Sequence, residues 1–266
     1  MRFDAAITPA AEGSLHCWSF TFVEGQLLLA EGHEEVLPGP QFDATVRHYL
    51  GRLGGLDAWA LRLDAVPPGW RRVPLRAAMM ALPAAQREVA ARAAQLIEWD
   101  RTHRYCGVCG TPTERVEHER ARRCPACAHA AYPRVTPAMM VLVWRPGEVL
   151  LARAPHFTPG MYSALAGFVE AGETLEQCVE RETAEEVNVR ITDLRYQGSQ
   201  SWPFPHSLML AFTARWTGGE IVPQAGEIED AQWFPIDALP MIPPRFSISG
   251  HLIRDTVAVL QEGRTP

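Results

Sequence analysis

Short apolar runs separated by turn residues fill residues 1 to about 80, and this pattern predicts a strand-rich segment. Residues 16–32, HCWSFTFVEGQLLLAEG, contain two apolar runs around a Glu-Gly pair and predict two strands joined by a turn. Residues 55–70 predict a further strand, which ends at a Pro-Pro pair. The segment carries no chemical motif and no evident repeat, so we expect it to have a structural or dimerising role.

An Ala-rich amphipathic helix is predicted over residues 84–102, AAQREVAARAAQLIEWDRT. Apolar side chains at helical spacing share one face, and these are Val89, Ala93, Leu96 and Ile97. The predicted helix leads directly into a cysteine-containing segment at residues 105–132.

From residue 135 onward the pattern changes to strands mixed with helical stretches. AMMVLVW predicts a buried strand, RPGE a turn and VLLARA a second strand, and a glutamate-rich stretch then spans residues 167–189. Further elements are predicted as strands near 193–200, 208–216 and 231–234 and a C-terminal helix at 249–262. Mixed strands flanked by helices indicate an α/β domain, so the whole chain is expected to be α+β with a strand-rich beginning.

Length, net charge and the distribution of apolar residues favour a soluble protein of more than one domain. The chain has 266 residues, 47% of them hydrophobic, which is enough for roughly two domains with cores of their own. Its formal net charge of −6 argues against broad nonspecific binding to nucleic acid, while leaving room for a local basic patch. No apolar run reaches the ~20 residues that span a bilayer. The N-terminal residues also lack the order of a signal peptide, so we expect a soluble, cytoplasmic protein.

Four of the six cysteines form a C-x2-C-x14-C-x2-C pattern, and they are Cys106, Cys109, Cys124 and Cys127. Two pairs of thiolates on tight turns select Zn²⁺ and leave no open coordination position, so the predicted site is structural. A redox dithiol is the competing interpretation. Zinc ribbons sometimes bind nucleic acid, but we favour a ribbon that stabilises the fold. Four arginines lie near the cysteines and could serve the nucleic-acid alternative: Arg115, Arg120, Arg122 and Arg123.

The glutamate-rich stretch places three carboxylates on one side of a predicted helix. At 100° per residue, Glu182, Glu185 and Glu186 project from an arc of about 100°. A solvated acidic helix face is the common explanation of such a cluster. With one to three Mg²⁺ or Mn²⁺ ions, the same cluster would be a hard-oxygen site suited to a diphosphate.

The residues around this helix resemble the Nudix box, G-x5-E-x7-R-E-U-x-E-E-x-G-U. The matching residues are Gly167, Glu173, Arg181, Glu182, Glu185, Glu186 and Val189. Thr183 replaces an aliphatic residue of the box, and its methyl group can still pack. Asn188 replaces a glycine after the helix, where Asn is the residue that best tolerates a left-handed backbone.

The resemblance implies roles for the acidic residues. In Nudix hydrolases, the glutamates at the positions of Glu182, Glu185 and Glu186 bind divalent cations, and the last is often drawn as the base that activates water. The carbonyl of Ala166 would add a backbone ligand, and Glu173 would orient Arg181. Remaining glutamates of the stretch are expected at the surface, and they are Glu170, Glu176 and Glu180.

Residues 199–207, SQSWPFPHS, resemble the SQPWPFPxS signature of the NADH pyrophosphatase branch of this family, with Ser201 in place of the first proline. A Pro-rich corner packed on the core is the alternative interpretation. The branch also carries a four-cysteine zinc ribbon before its Nudix domain, and this chain has ribbon, box and signature in that order. The resemblance covers roughly residues 76–260.

Further site residues follow from the same resemblance. Glu227 matches a late metal-binding glutamate, with Glu229 as a rival at similar spacing. Tyr132, Phe168 and Trp202 would contact the rings of a dinucleotide. Other substrate contacts would come from Arg76, Glu119, Gln200, Ser201, Pro203, Phe204, Pro205, His206, Ser207 and Ser249, of which Arg76 matches most loosely.

The expected reaction is hydrolysis of NADH or NAD⁺ to a nicotinamide mononucleotide and AMP, with Mg²⁺ or Mn²⁺ as cofactor and a structural Zn²⁺. Removal of NAD caps from RNA breaks the same bond, and a non-catalytic nucleotide-binding module is the third interpretation. The chain lacks a G-x-G-x-x-G after a strand, so a Rossmann oxidoreductase is not expected. We expect a homodimer from the resemblance, and domains at residues 1–100 (N-terminal), 101–132 (zinc ribbon) and 133–266 (Nudix α/β/α sandwich with a mixed sheet).

Overall fold

The computed structural model describes residues 1–9 and 16–266, so residues 10–15 of the predicted strand-rich segment lie outside the described part. The chain divides into two compact units. The first comprises residues 1–134 and 203–206, and the second comprises residues 135–202 and 207–266.

A seven-stranded sheet forms the body of the first unit, in the order β1-β5-β6-β2-β3-β7 with β4 on β2. Its elements are β1 (Phe3–Ala5), β2 (Cys17–Val23), β3 (Gln26–Ala30), β4 (Pro38–Gly39), β5 (Val46–Leu53), β6 (Leu56–Arg62), β7 (Trp70–Val73), α1 (Leu75–Ala81) and α2 (Ala84–Thr102). The strand β2 pairs with β6 in parallel, whereas its partners β3 and β4 are antiparallel. The strand-rich prediction for this segment is confirmed.

The helix α2 has the predicted bounds, and its apolar face packs on β2, β5 and β6. Val89, Ala90 and Ala93 are fully buried there. The shorter helix α1 was not predicted. It stops at Leu82, whose extended backbone (φ −57°, ψ 141°) is the conformation favoured before a proline, here Pro83.

The cysteine segment adds a three-stranded sheet of β8 (Glu114–Arg115), β9 (Arg122–Arg123) and β10 (Ala130–Ala131) to the first unit. Asp100, at the end of α2, is 3% exposed and holds this segment. Its Oδ1 accepts hydrogen bonds from Arg115 Nη2 (2.9 Å) and Arg122 Nη1 (2.8 Å). Arg120 donates to the carbonyls of Ala6 and Tyr49. These three arginines therefore bind groups within the first unit, a role that the sequence analysis did not assign to them.

A six-stranded sheet forms the second unit, in the order β14-β15-β11-β12-β16 with β13 on β11. Its elements are β11 (Thr136–Arg145), β12 (Glu148–Arg153), β13 (Leu165–Phe168), α3 (Leu175–Val187), β14 (Arg190–Trp202), β15 (Ser207–Gly218), β16 (Asp230–Pro235) and α4 (Ile248–Gln261). Only β13 has no counterpart among the predicted elements. β11 and β15 are parallel, and the other pairs are antiparallel.

Alternation along β11 gives this sheet two buried faces, because successive side chains of a strand point to opposite sides. Met139, Val141 and Val143 pack with residues of α3, whereas Met140 and Leu142 pack with residues of α4. The result is a mixed sheet between helices, which confirms the predicted fold class. Among the described residues, no helix is both long enough and apolar enough to span a membrane.

We predict that Asp100→Asn destabilises the first unit by about 3–5 kcal/mol, because it leaves two arginines around a buried site without their counter-charge. The measurement is urea unfolding followed through the tryptophans of this unit. Glu98→Gln on the same helix is the control, since Glu98 pairs with Arg101 at the surface, and its loss should cost about 1 kcal/mol or less. Equal effects of the two substitutions would contradict the assignment of Asp100 as the staple.

Candidate active site and metal centre

The helix α3 carries the three predicted carboxylates, and both of its ends are held by local chemistry. Thr174 and Gln177 form a reciprocal capping box at its start. At its end, Asn188 adopts the left-handed conformation (φ 58°, ψ 29°) that the sequence predicts, and its Nδ2 donates to the Glu220 carbonyl. Both ends of α3 are therefore defined by local hydrogen bonds.

Gly167 lies on β13, opposite Met139 of β11, and brings the backbone directly against the helix. A Cβ at this position would lie 1.9 Å from the Glu182 carboxyl carbon. Glycine is therefore required at this position, because the Glu182 carboxylate approaches the backbone closely. We call the Gly167 backbone and the Glu182 carboxylate together the cradle.

Burial distinguishes the three carboxylates on α3. Glu186 is 7% exposed, Glu182 is half-buried and Glu185 is exposed. Burial, together with the charges of Glu182 and Glu227, raises the pKa of Glu186 to about 8, although a hydrogen bond from the Ala166 N–H opposes this. The pKa of Glu182 is also raised, chiefly by burial. Without a cation, the site disfavours the ionised state of its deepest carboxylate.

Arg181 partly neutralises the negative charge of the carboxylates. Its Nε and Nη2 donate to the two carboxylate oxygens of Glu173 (2.7 and 3.0 Å), as expected for a residue that orients it. This hydrogen-bonded ion pair lowers the pKa of Glu173 to about 2. Arg181 Nη1 lies 3.0 Å from both Glu182 and Glu185. One guanidinium therefore serves three carboxylates and leaves Glu186 without a direct basic partner among the described residues.

The orphaned oxygen of Glu186 shows that the site fits a divalent cation. Its Oε2 is buried and has no hydrogen-bond partner among the described residues. Buried carboxylates without donors are costly unless a cation binds them, and hard oxygen ligands suit Mg²⁺ and related ions. Glu227 acts electrostatically on Glu182 and Glu186, whereas its rival Glu229 is paired with Arg153 at 2.8 Å. Glu229 is therefore already engaged by Arg153, and Glu227 remains the candidate for a fourth carboxylate.

The four predicted cysteines of the first unit come together with all ligand atoms within 4.8 Å of one another. Sulfur separations include 3.4 Å for Cys109–Cys124 and 3.5 Å for Cys106–Cys127. These values are close to the ~3.8 Å edge of a tetrahedron with zinc–sulfur bonds of about 2.3 Å. The four thiols fit a closed Zn²⁺ site.

The second unit contains several of the predicted substrate residues. Phe168 is 58% exposed at the end of β13, and Trp202 stacks on Phe246 with centroids 6.3 Å apart. Gln200 uses its amide to bind the backbone of Phe246 and Ile248, which begins α4.

Three serines were also predicted to contact substrate, and their exposure differs. Ser249 is buried and lies 2.7 Å from Ser163 Oγ. Ser207 is buried as well, whereas Ser201 is exposed. Gln200 and Ser249 therefore have clear structural partners, and any contact of theirs with substrate is an additional role.

The first unit contains the remaining predicted residues. Tyr132 is exposed and donates a 3.3 Å hydrogen bond to Glu119. The Arg76 guanidinium lies 4.4 Å from the centre of the Phe204 ring, which is a cation–π contact. The signature tip differs in burial from residue to residue, with Pro203 buried, Pro205 exposed and His206 lining a polar cleft.

Sequence reasoning missed two contributors to the carboxylate site. The Phe168 carbonyl accepts hydrogen bonds from Arg181 Nη2 (3.0 Å) and Cys178 Sγ (3.4 Å), which ties the loop to α3. Arg153 binds Glu229, 76 residues away. Backbone acceptors and long-range ion pairs leave no pattern in a single sequence, so neither could have been found from spacing.

Family comparisons agree with these observations region by region. The family model of the NUDIX domain matches residues 134–255. The model described as the NADH pyrophosphatase zinc ribbon domain matches residues 101–132, and the NADH pyrophosphatase-like rudimentary NUDIX domain matches residues 18–99. The last match was not anticipated, because the N-terminal segment lacks the residues of the box.

Relatives and a solved structure extend the comparison. The chain is 46% identical over 259 residues to the NAD-capped RNA hydrolase NudC of Deinococcus radiodurans, covering 95% of this chain and 91% of that protein. It is 62% identical over 182 residues to the protein of the same name from Chromobacterium violaceum, covering 68% and 69%. A crystal structure of a NUDIX hydrolase from Nitrosomonas europaea matches in fold with a TM-score of 0.52 at 23% identity, covering 61% of this chain and 94% of that one.

Fold, carboxylate helix and family matches define the class of protein as a Nudix hydrolase, an enzyme that depends on divalent metal. The chain belongs to the Nudix hydrolase family, in its NADH pyrophosphatase branch. The resemblance predicted from the box, the ribbon and the signature is confirmed. The ribbon match also implies zinc.

We predict that Gly167→Ala abolishes cation binding while leaving the fold intact, because its Cβ would displace the Glu182 carboxylate. Calorimetric titration with Mn²⁺ and circular dichroism measure the two effects. Gly39→Ala is the control, since nothing lies within 4 Å of a Cβ there. Unchanged Mn²⁺ affinity of Gly167→Ala would contradict the cradle.

We predict that Thr183→Val stabilises the protein by about 1 kcal/mol. Thr183 is fully buried, and its hydroxyl has no hydrogen-bond partner among the described residues. Valine keeps the shape and removes the unsatisfied group. Thr174→Val, which removes the helix cap instead, should destabilise by a similar amount, so thermal unfolding of the two variants should shift in opposite directions.

Proposed function

We propose that this enzyme hydrolyses the pyrophosphate bond of an NAD moiety and releases AMP and nicotinamide mononucleotide from NADH or NAD⁺. The observation that carries the proposal is the buried Glu186 oxygen that has no hydrogen-bond partner among the described residues, with the charges of Glu182 and Glu227 acting on the same carboxylate. Such a site suits cations that face a diphosphate. Membership of the NADH pyrophosphatase branch supports a dinucleotide as the substrate.

Glu182, Glu185, Glu186 and Glu227, with the Ala166 carbonyl, would hold one to three Mg²⁺ or Mn²⁺ ions. When bound, these ions neutralise the diphosphate oxygens and acidify the attacking water. Arg181 Nη1 lies 3.0 Å from a carboxylate oxygen of Glu182 and of Glu185, and holds both side chains in place.

Glu186 is the residue we assign to proton removal from the attacking water. Its carboxylate is the most buried of the three on α3, and its Oε2 has no hydrogen-bond partner among the described residues, so this oxygen can accept a proton. A water oxygen forms the new bond to phosphorus, the anhydride P–O bond breaks, and two monophosphates leave. The chain needs no covalent intermediate for this reaction.

Exposed aromatic side chains support recognition of the flat rings of a dinucleotide. Phe168 is exposed at the end of the strand that carries the cradle, and Tyr132 is exposed beside the ribbon. We assign both, with Trp202, to ring contacts, because aromatic faces stack on flat rings. Glu119, which accepts a hydrogen bond from Tyr132, would orient that ring.

Removal of NAD caps from RNA is the second candidate function. It is favoured by the name of relatives such as that of Deinococcus radiodurans, NAD-capped RNA hydrolase. The bond broken is the same, so the carboxylate site serves both substrates. Domain boundaries at residues 1–100, 101–132 and 133–266, and a homodimeric state, remain part of the proposal.

The test is a comparison of substrates with Mg²⁺ and with Mn²⁺. NADH, NAD⁺, NAD-capped RNA, ADP-ribose and diadenosine polyphosphates are supplied separately, and the released products are identified. We expect AMP and nicotinamide mononucleotide from the free dinucleotides, and cap removal from the RNA. Raising the salt concentration should reduce the activity on NAD-capped RNA more than the activity on free dinucleotides, because contacts to RNA phosphates weaken as salt rises.

Glu186→Gln should lower the rate by about 10²–10⁴-fold, the range for a lost general base. Glu180→Gln on an exposed part of the same helix is the matched control and should retain wild-type activity. A clear preference for ADP-ribose would overturn the substrate assignment. Full activity of Glu186→Gln would overturn the role of that residue.

A further inference from the structure

The segment that carries Glu227 is tied to the end of α3. The backbone N–H groups of Val222 and Gln224 donate to the carbonyls of Val187 and Glu186, at 3.1 and 2.9 Å. The last carbonyls of a helix have no intrahelical partners, so these bonds satisfy them. The segment is thereby connected to the backbone of the deepest carboxylate in the site.

Its other end is tied to β12. The Glu229 N–H donates to the Arg153 carbonyl at 2.9 Å. The side chains repeat the connection, since Arg153 Nε and Nη2 lie 2.9 and 2.8 Å from Glu229 Oε2. Arg153 is the last residue of its strand and only 13% of its side chain is exposed. A rigid sheet therefore holds this guanidinium.

Glu227 lies between these two connections. The N–H groups of Glu227 and Ile228 both donate to the Gln224 carbonyl, which forms a tight turn. Gln224 donates its N–H to the Glu186 carbonyl and accepts the Glu227 N–H at its own carbonyl, which places the Glu227 backbone beside the end of α3 that carries Glu186. Like charges repel, and a segment held at one end only would move Glu227 away from the others.

We propose that the Arg153–Glu229 pair positions Glu227 at the cation site, and that Glu229 is not itself a cation ligand. This inference rests on one part of the proposed function, the cation site, since it takes Glu227 as a ligand. The Glu229 carboxylate pairs with the Arg153 guanidinium, and the Glu229 N–H binds the Arg153 carbonyl. These two interactions hold the turn that contains Glu227, two residues earlier. Groups behind the ligands of a metal site commonly tune metal affinity in this way.

The test is Mn²⁺ titration calorimetry of Glu229→Gln in the absence of substrate. We expect about 10-fold weaker binding, as for other groups that orient metal ligands. Arg153→Gln should weaken binding to the same extent, and the double variant should be no weaker than either single variant, because both remove one interaction. Hydrogen exchange of the metal-free Glu229→Gln protein should be faster at the 224–228 amides.

A matched control lies at the other end of the same strand. Glu148 pairs with Arg145 at 2.6 Å, and Glu148→Gln removes an Arg–Glu pair of the same kind. It should leave Mn²⁺ affinity and the exchange of the 224–228 amides unchanged. Thermal unfolding of the metal-free Glu148→Gln and Glu229→Gln proteins should coincide, which excludes a general loss of stability.

Two outcomes would overturn the inference. One is wild-type Mn²⁺ affinity in Glu229→Gln. The other is a loss as complete as that of Glu227→Gln, which would make Glu229 a ligand. Both readouts are independent of turnover, so failure of the enzyme to hydrolyse any NAD substrate would refute the proposed function and leave this inference standing. At saturating Mn²⁺, an active enzyme carrying Glu229→Gln should recover most of its kcat.

Discussion

Desolvation of the Glu186 carboxylate constrains the rest of the second unit. A buried carboxylate close to other negative charges raises the free energy of the metal-free protein, because one oxygen of its ionised form is buried and has no hydrogen-bond donor within the described part of the chain. Arg181 pairs with the neighbouring Glu182 carboxylate. Gly167 has no Cβ that would collide with that carboxylate. A bound cation would relieve this unfavourable free energy, so the burial of Glu186 would favour cation binding.

Rigidity of the scaffold is what keeps such a cluster together. Helix α3 is capped at its start, closed by a left-handed Asn188 at its end, and packed by Cys178, Val179 and Val187 on one face of the sheet. The opposite face of the same strands packs on α4. Since both faces of β11 are buried, a slip of one residue would exchange the two cores, so the register that places Gly167 beside Glu182 is strongly determined.

Charge is used differently in the first unit. Asp100 is a single buried carboxylate with two arginines, so its charge is compensated within the protein and serves the fold. The zinc cysteines follow on the segment that these arginines hold. A compensated carboxylate stabilises structure, whereas an uncompensated one would favour a bound cation, and this contrast separates Asp100 from Glu186.

The sequence by itself determined the helices over 84–102 and near 249–262, the four-cysteine cluster, the three carboxylates on one arc and the left-handed Asn188, because each depends on local spacing or local backbone preference. Only the tertiary structure decided that Glu186 is buried while Glu185 is exposed, since the spacing of α3 does not say which side faces the sheet. It also paired Glu229 with Arg153, and gave Gln200 and Ser249 internal partners. These contacts join residues distant in the chain, and no local pattern encodes them.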